Sequence, residues 1–369
     1  MNVSNPVIVQ SRALRLLQPG QVNEVWLNHE MPEHHIVVEP TIGSICHADL
    51  RYFTGQRRPE ALARKLPMAL IHEGIGRVAE SRTERFHAGE RVIIVPNWPG
   101  HALEGIRPEE CCASCRSGKG DNYCERGRFL GSGTDGIAQS RIVVPADCLI
   151  KVPDDVPDEI AVLAELCSVS YQALGREASN LKNAKVAVFG DGPVGYLTAA
   201  VLYHVFGVSR DKLLVFGAIP EKLDNFKFAQ TALVQHYDFD KGQTFDIAVE
   251  CTGGKFSESA INQCIDILSP GGKLILMGVT EDRVPINTRD VLEKGITMTG
   301  SSRSSSADYI PVVKAMRSKE FQETLSRLLP DHYHEIKGAE DFTKAMEETA
   351  AHRGWKKTVL SFDWHSSHV

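Results

Sequence analysis

The sequence predicts an α/β protein built in two parts, and three observations carry that reading. The chain has 369 residues, room for about two domains, and is 42% hydrophobic and 24% charged, as an ordinary folded protein is. Up to about residue 168, short strand-like runs are separated by turns, which suggests a compact β-rich unit. From about residue 169, apolar strands alternate with helical stretches, the pattern of a doubly wound parallel sheet covered on both faces.

In the first part, Ile36–Glu39, Gly76–Ala79 and Glu90–Pro96 read as strands. In the second, Lys185–Phe189 leads through a glycine-rich turn into a helix reaching about residue 206. Lys212–Phe216, Asp246–Glu250, Lys273–Met277 and Ile296–Thr299 continue the series of strands. The last residues, from Trp364 to Val369, read as a loose tail.

Charge and hydropathy exclude several classes. With 41 Lys+Arg against 47 Asp+Glu, the formal net charge of −6 argues against a nucleic-acid partner held by a basic field. The longest mostly apolar stretch, Val194 to Val208, is interrupted by Tyr203 and His204 and falls short of the roughly 18 residues of a spanning helix. The N-terminal residues show no apolar export core. The expectation is a cytoplasmic protein with a small-molecule partner and no membrane partner.

The nine cysteines are unevenly spread, four of them between Cys111 and Cys124. Clustering of this kind, in a polar segment, reads as metal binding rather than as a disulfide framework or core packing. Cys112, Cys115 and Cys124 are three ligands of a structural zinc, and the fourth is Cys111 or Glu109. A second, scattered set comprises Cys46 with Asp49, the pair His72–Glu73, and Glu165. A thiolate, an imidazole and a carboxylate suit a catalytic Zn²⁺ and leave a position open for substrate. Asp49 is placed to accept the second ring N–H of His72.

Gly190-Asp191-Gly192-Pro193-Val194-Gly195 fits G-x-G-x-x-G, after an apolar strand and at the start of a helix. Gly190, Gly192, Pro193, Val194 and Gly195 are therefore expected to cradle a dinucleotide pyrophosphate, with Thr252 and Gly278 completing the site. The acid that holds the ribose of NAD is expected at the end of the second strand, where Gly217 stands instead. That glycine leaves room for a 2′-phosphate and Lys222 follows closely, so NADP(H) is preferred over NAD(H).

These motifs, in this order along nearly the whole chain, resemble those of the zinc-dependent medium-chain dehydrogenases, the alcohol and polyol dehydrogenases. The resemblance implies a GroES-like catalytic domain over 1–168 and 306–369 and a Rossmann domain over 169–305. It puts Cys46, His72 and Glu165 at the catalytic zinc, with Glu73 a neighbouring or alternative ligand, and implies a homodimer or homotetramer. A narrower resemblance, to the ribulose-5-phosphate reductases, rests on Ser44-Ile45-Cys46-x-Ala48-Asp49-x-Arg51-Tyr52-x-Thr54-Gly55, Lys65–Gly74, Ser259–Gln263, Val291–Gly295 and Gly300–Ser304.

That resemblance implies NADPH-dependent reduction of D-ribulose 5-phosphate to D-ribitol 5-phosphate at a zinc-polarised carbonyl. Arg51, Arg57, Arg58 and Lys65 follow the Cys46 turn, and Arg51 and Arg303 are the candidates for gripping the substrate phosphate. Two departures stand out. Glu109 occupies the place of the first cysteine of the family's zinc loop, with one extra residue between Cys115 and Cys124. Ala48 replaces the hydroxyl residue that relays a proton in alcohol dehydrogenases, leaving that task to Glu73, Tyr52 or a ribose hydroxyl. The competing readings are a dehydrogenase of an unphosphorylated polyol, cyclitol or secondary alcohol, and a redox-inactive cofactor-binding protein.

Overall fold

The computed structural model describes residues 7–118, 120–352 and 354–365. The chain divides into two compact units. One takes in Met1–Glu165, Ser304–Arg317 and Leu329–Val369, and the other Leu166–Arg303 and Ser318–Leu328.

In the first unit the strands Val7–Gln18 and Gln21–Met31 form a long antiparallel hairpin, joined by Met68–Ala69. A seven-stranded sheet beside it runs Leu149–Lys151, Arg91–Ile94, Glu73–Ser81, His35–Ser44, Val359–Phe362, His334–Ile336, with Ile142–Pro145 also paired to His35–Ser44. The apolar run Ile36-Val37-Val38 is wholly buried, as a strand covered on both faces must be. Register matters for the site: Val359 pairs with Ser44, and Ser44 with Glu73. Residues from the first fifth of the chain and from its end thereby meet on neighbouring strands.

The second unit carries a parallel sheet of β1 (Val186–Phe189), β2 (Leu213–Gly217), β3 (Gln230–Leu233), β4 (Phe245–Glu250), β5 (Leu268–Leu276) and β6 (Thr297–Gly300). Its spatial order is β3-β2-β1-β4-β5-β6. The order reverses between β1 and β4, and dinucleotides bind outside the carboxyl ends of the strands at such a point. Phe189 and Phe216 stack at 4.5 Å within its core.

Two differences from the sequence reading emerge. The segment Ser318–Leu328, expected with the first part, belongs to the second unit. Its apolar residues Phe321 and Leu325 are buried; Phe321 stacks on His204 at 4.8 Å, and Tyr196 donates to the Thr324 carbonyl at 2.8 Å. The expected tail is partly anchored: Trp364 stacks on Phe362 at 5.0 Å and donates to the Pro40 carbonyl at 2.9 Å. Its last residues, 366–369, lie outside the described residues. Among the described residues no helix is long and apolar enough to cross a membrane.

Candidate active site

Cys46 stands at the N-terminal cap of helix α1 (His47–Phe53), and Asp49 in its first turn accepts the Cys46 N–H at 3.0 Å. Asp49 is fully buried and accepts from the Ile71 N–H at 3.1 Å with the oxygen that lies 3.4 Å from His72 Nδ1. A carboxylate anchored by two backbone donors is a rigid partner for an imidazole, and it leaves His72 Nε2 for a metal. The chain enters the site through Ile71 at φ 71°, a conformation strained for a β-branched residue. Ile71 is held there by Asp49 on its N–H and by the Ile137 N–H on its carbonyl at 2.7 Å.

Glu73, the first residue of the next strand, is wholly buried. One carboxylate oxygen, Oε2, accepts from Ser44 Oγ and from Lys357 Nζ, the latter at 2.7 Å. Lys357 also donates to the Ile45 carbonyl at 2.9 Å. Burial alone would lower the Lys357 ammonium; the Glu73 carboxylate and then the Cys46 thiol raise it above its ordinary value. Glu73 Oε1 is buried and has no hydrogen-bond partner.

The ligand atoms of Cys46, His72 and Glu73 lie within 4.8 Å of one another. Glu165 is not part of that group. It is buried at the start of the helix Ala164–Gly175, and its carboxyl is pushed up to about 7, first by burial and then by Glu73 and Asp49, against the pull of His72 and Lys357. The Cys46 thiol is likewise raised, first by burial and then by Glu73. An orphaned carboxylate oxygen, a thiol and a second carboxyl that burial and mutual repulsion hold toward neutrality are the conditions a divalent cation relieves. The residues present fit zinc.

The four cysteines form a second group in which all ligand atoms again fall within 4.8 Å. Cys112 lies 3.6 Å from Cys115 and 3.8 Å from Cys124, and Cys111 3.7 Å from Cys124. Backbone N–H groups of Cys115 and Glu125 bring Cys112 down to about 6, close to the thiolate a metal requires. Of the two candidates for the fourth donor, Cys111 lies in the group, whereas Glu109 is exposed on the short helix Pro108–Glu110 and outside it.

In the second unit the glycine turn joins β1 to helix α3 (Pro193–His204), with Pro193 in its first turn. Gly190 has φ 139° and a Cβ there would meet the Cys251 backbone at 3.2 Å, while a Cβ on Gly195 would overlap the Gly190 carbonyl. Around Gly192 nothing lies within 4 Å of a Cβ position, so a pyrophosphate has access to that backbone. Val194 follows on the first turn. Thr252 and Gly278 are organised by Glu250 at the end of β4. Its carboxylate accepts from the Thr252 N–H at 2.8 Å, the Gly253 N–H at 3.1 Å and the Gly278 N–H at 3.1 Å.

Gly217 has a different cause from the one expected. A Cβ there would meet Asp191 Cβ at 2.7 Å and Leu223 Cδ2 at 2.8 Å, so its space is filled rather than left for a phosphate. Asp191 turns toward it and accepts from the Ala218 and Ile219 N–H groups at 2.8 and 2.9 Å. Lys222, half-buried on the short helix Pro220–Leu223, has no ion-pair partner among the described residues. Arg51 lies half-buried on α1 in the first unit; Arg303, at φ 61°, belongs to the second. Sequence reasoning missed Lys357, Ser44 and Glu250. An acid ending an otherwise apolar strand was the available signal for Glu250; nothing local pointed to Lys357.

Comparison with known proteins supplies the remaining context. Residues 32–154 match the alcohol dehydrogenase GroES-like domain and residues 218–318 the zinc-binding dehydrogenase domain. The chain is 37% identical over 355 residues to ribulose-5-phosphate reductase 1 of Staphylococcus aureus, covering 95% of this chain and 99% of that one. It is 36% identical to the ribulose-5-phosphate reductase of Bacillus spizizenii, covering 96% and 99%. The crystal structure of S. aureus TarJ in complex with NADPH superposes with a TM-score of 0.80 at 33% identity, over 96% of this chain and 100% of that one. The L-idonate 5-dehydrogenase of Escherichia coli, 21% identical with a TM-score of 0.81, shares the fold.

Proposed function

The chain belongs to the zinc-binding medium-chain dehydrogenases, and on that premise we propose that it reduces D-ribulose 5-phosphate to D-ribitol 5-phosphate with NADPH. The observation that carries the reading is the gathering of Cys46, His72 and Glu73, with Glu73 Oε1 unpartnered, in a chain so similar to ribulose-5-phosphate reductases. Cys46, His72 and a carboxylate from Glu73 or Glu165 would hold the zinc.

Zinc held there would supply Lewis acidity toward the C2 carbonyl, and bound NADPH would supply the hydride. The residues of the chain do the rest. Asp49 fixes the His72 ring in the tautomer that presents Nε2. Lys357 and Ser44 occupy Glu73 Oε2, so Oε1 is the oxygen left without a partner. The turn from Gly190 to Gly195 receives the pyrophosphate on backbone N–H groups, and Lys222 supplies the cation for a 2′-phosphate. Since Ala48 carries no hydroxyl, the proton that completes the alcohol would come by another route, through a ribose hydroxyl of the cofactor. The products are ribitol 5-phosphate and NADP⁺, with one proton consumed.

We further propose a cytoplasmic homodimer or homotetramer, paired through the free edge of the second unit's sheet at β6. The function is tested by following NADPH absorbance with zinc-loaded protein and ribulose 5-phosphate, xylulose 5-phosphate and free ketoses. Fast oxidation of NADPH by ribulose 5-phosphate, and slow oxidation of NADH in its place, is expected. A free ketose reduced as fast as the phosphate ester would overturn the reading.

A further inference from the structure

Helix α2 (Pro59–Lys65) ends on Lys65, whose ammonium donates to Tyr52 Oη at 2.9 Å and to Ser132 Oγ at 2.7 Å. Those two oxygens are themselves 3.1 Å apart. The Arg57 guanidinium carbon lies 4.8 Å, and Lys65 Nζ 5.6 Å, from the centre of the Tyr52 ring. Two cations therefore converge on one phenol, whose side chain is only 2% exposed. Both hydrogen-bond partners of Lys65 are neutral oxygens, and among the described residues no carboxylate pairs with it. Its positive charge is left uncancelled.

Such a half-buried cation, partly desolvated with only neutral oxygens and a ring face beside it, is incompletely compensated. It gains greatly from an incoming anion. An ammonium has three N–H donors, and two are already directed at Tyr52 and Ser132, leaving one for a ligand. The local field is positive enough to act on the phenol. Burial raises Tyr52, yet Lys65, Ser132 and Arg57 together bring it below its ordinary value.

The position is tied to the donor group. Tyr52 follows Asp49 by one turn of α1, and both are buried, so they share a face. Ser132 follows Gly131, where a Cβ would lie 3.4 Å from the N atom of Ile71, the residue before His72. The Phe129 ring on the same loop lies 5.5 Å from the His72 ring. The loop that carries Ser132 thus runs along the imidazole that the metal would use.

We propose that Lys65, Arg57, Tyr52 and Ser132 form the subsite for the phosphate ester of the substrate and set the preference for a phosphorylated over a free ketose. This rests on the ketose-phosphate reading above. Lys65 and Arg57 neutralise the dianion, and the two hydroxyl groups fix its orientation.

The test compares kcat/KM for D-ribulose 5-phosphate with kcat/KM for D-ribulose, using NADPH, in wild type, K65M, K65R, S132A and R51A. In K65M the ratio falls about tenfold to a hundredfold, the size expected for a lost charge-assisted contact, and the loss resides in KM for the ester. K65R restores most of it, S132A lowers it less, and inorganic phosphate inhibits K65M more weakly than wild type. Zinc content and NADPH affinity stay at wild-type values, which a mere fault in folding would not allow. Should K65M fail to fold, S132A carries the same comparison. A K65M enzyme that keeps the wild-type ratio, or a ratio that collapses only in R51A, overturns the subsite and leaves the ketose-phosphate reading standing. A wild-type ratio near unity overturns that reading and the subsite with it.

Discussion

Cys46 and the adjacent pair His72–Glu73 reach their cluster from two separate segments of the first unit, whereas Cys111, Cys112, Cys115 and Cys124 share a single stretch of chain. Ligand atoms in both groups lie within 4.8 Å of one another, but the groups differ in what surrounds them. The four thiols satisfy a tetrahedral ion by themselves, so nothing further has access to it. The scattered group offers one thiol, one imidazole and an unpartnered carboxylate oxygen, and it is propped from behind by Asp49, Ser44 and Lys357. A closed set of identical soft donors stabilises a loop. A mixed set with braced members is what an ion needs if a substrate must also bind it.

The bracing can be broken one piece at a time. The largest effect on stability is expected from Lys357→Met, which strands the Glu73 charge in a fully buried position. Removing one partner of a buried pair costs about 3–5 kcal/mol, so denaturant unfolding should show a loss of that order, with Lys357→Arg much milder. Unchanged stability in K357M would mean that the Lys357–Glu73 pair does not hold the fold together. Asp49→Asn preserves shape while removing the charge behind His72. Zinc affinity, measured by competition with a chelator, or turnover should drop about tenfold to a hundredfold. Loss of that order from the cysteine loop instead would show that the bracing belongs to the other cluster.

The smallest change lies in the second unit. Lys222→Ala should raise KM for NADPH by about tenfold and leave KM for NADH nearly unaltered. Equal effects on both cofactors would separate Lys222 from the 2′-phosphate.

What could be read in advance follows the same division. The cysteine loop and the glycine turn are local: their ligands and their backbone demands lie within a few residues, and spacing alone exposes them. The pairing of Asp49 with His72 was also legible, because a histidine ligand needs an acceptor on its other nitrogen. Lys357 was not, since its partner Ile45 is 312 residues away and the contact exists only once Val359 pairs with Ser44. Gly217 was read as room left for a 2′-phosphate, whereas a Cβ there would meet neighbouring side chains. A small residue signals that something is close without saying what, and here it is the Asp191 side chain. The segment Ser318–Leu328 was misassigned because an amphipathic helix announces a buried face without naming the surface that covers it.

The central claim is that the mixed cluster, and not the cysteine loop, holds the ion on which turnover depends. Zinc content per chain, measured together with the rate of NADPH oxidation by ribulose 5-phosphate in wild type and in Cys46→Ser, tests it most directly. The account predicts about two zinc ions in wild type, about one in the folded variant, and a rate lower by about a thousandfold or more. A variant that keeps both its zinc and its rate would contradict it.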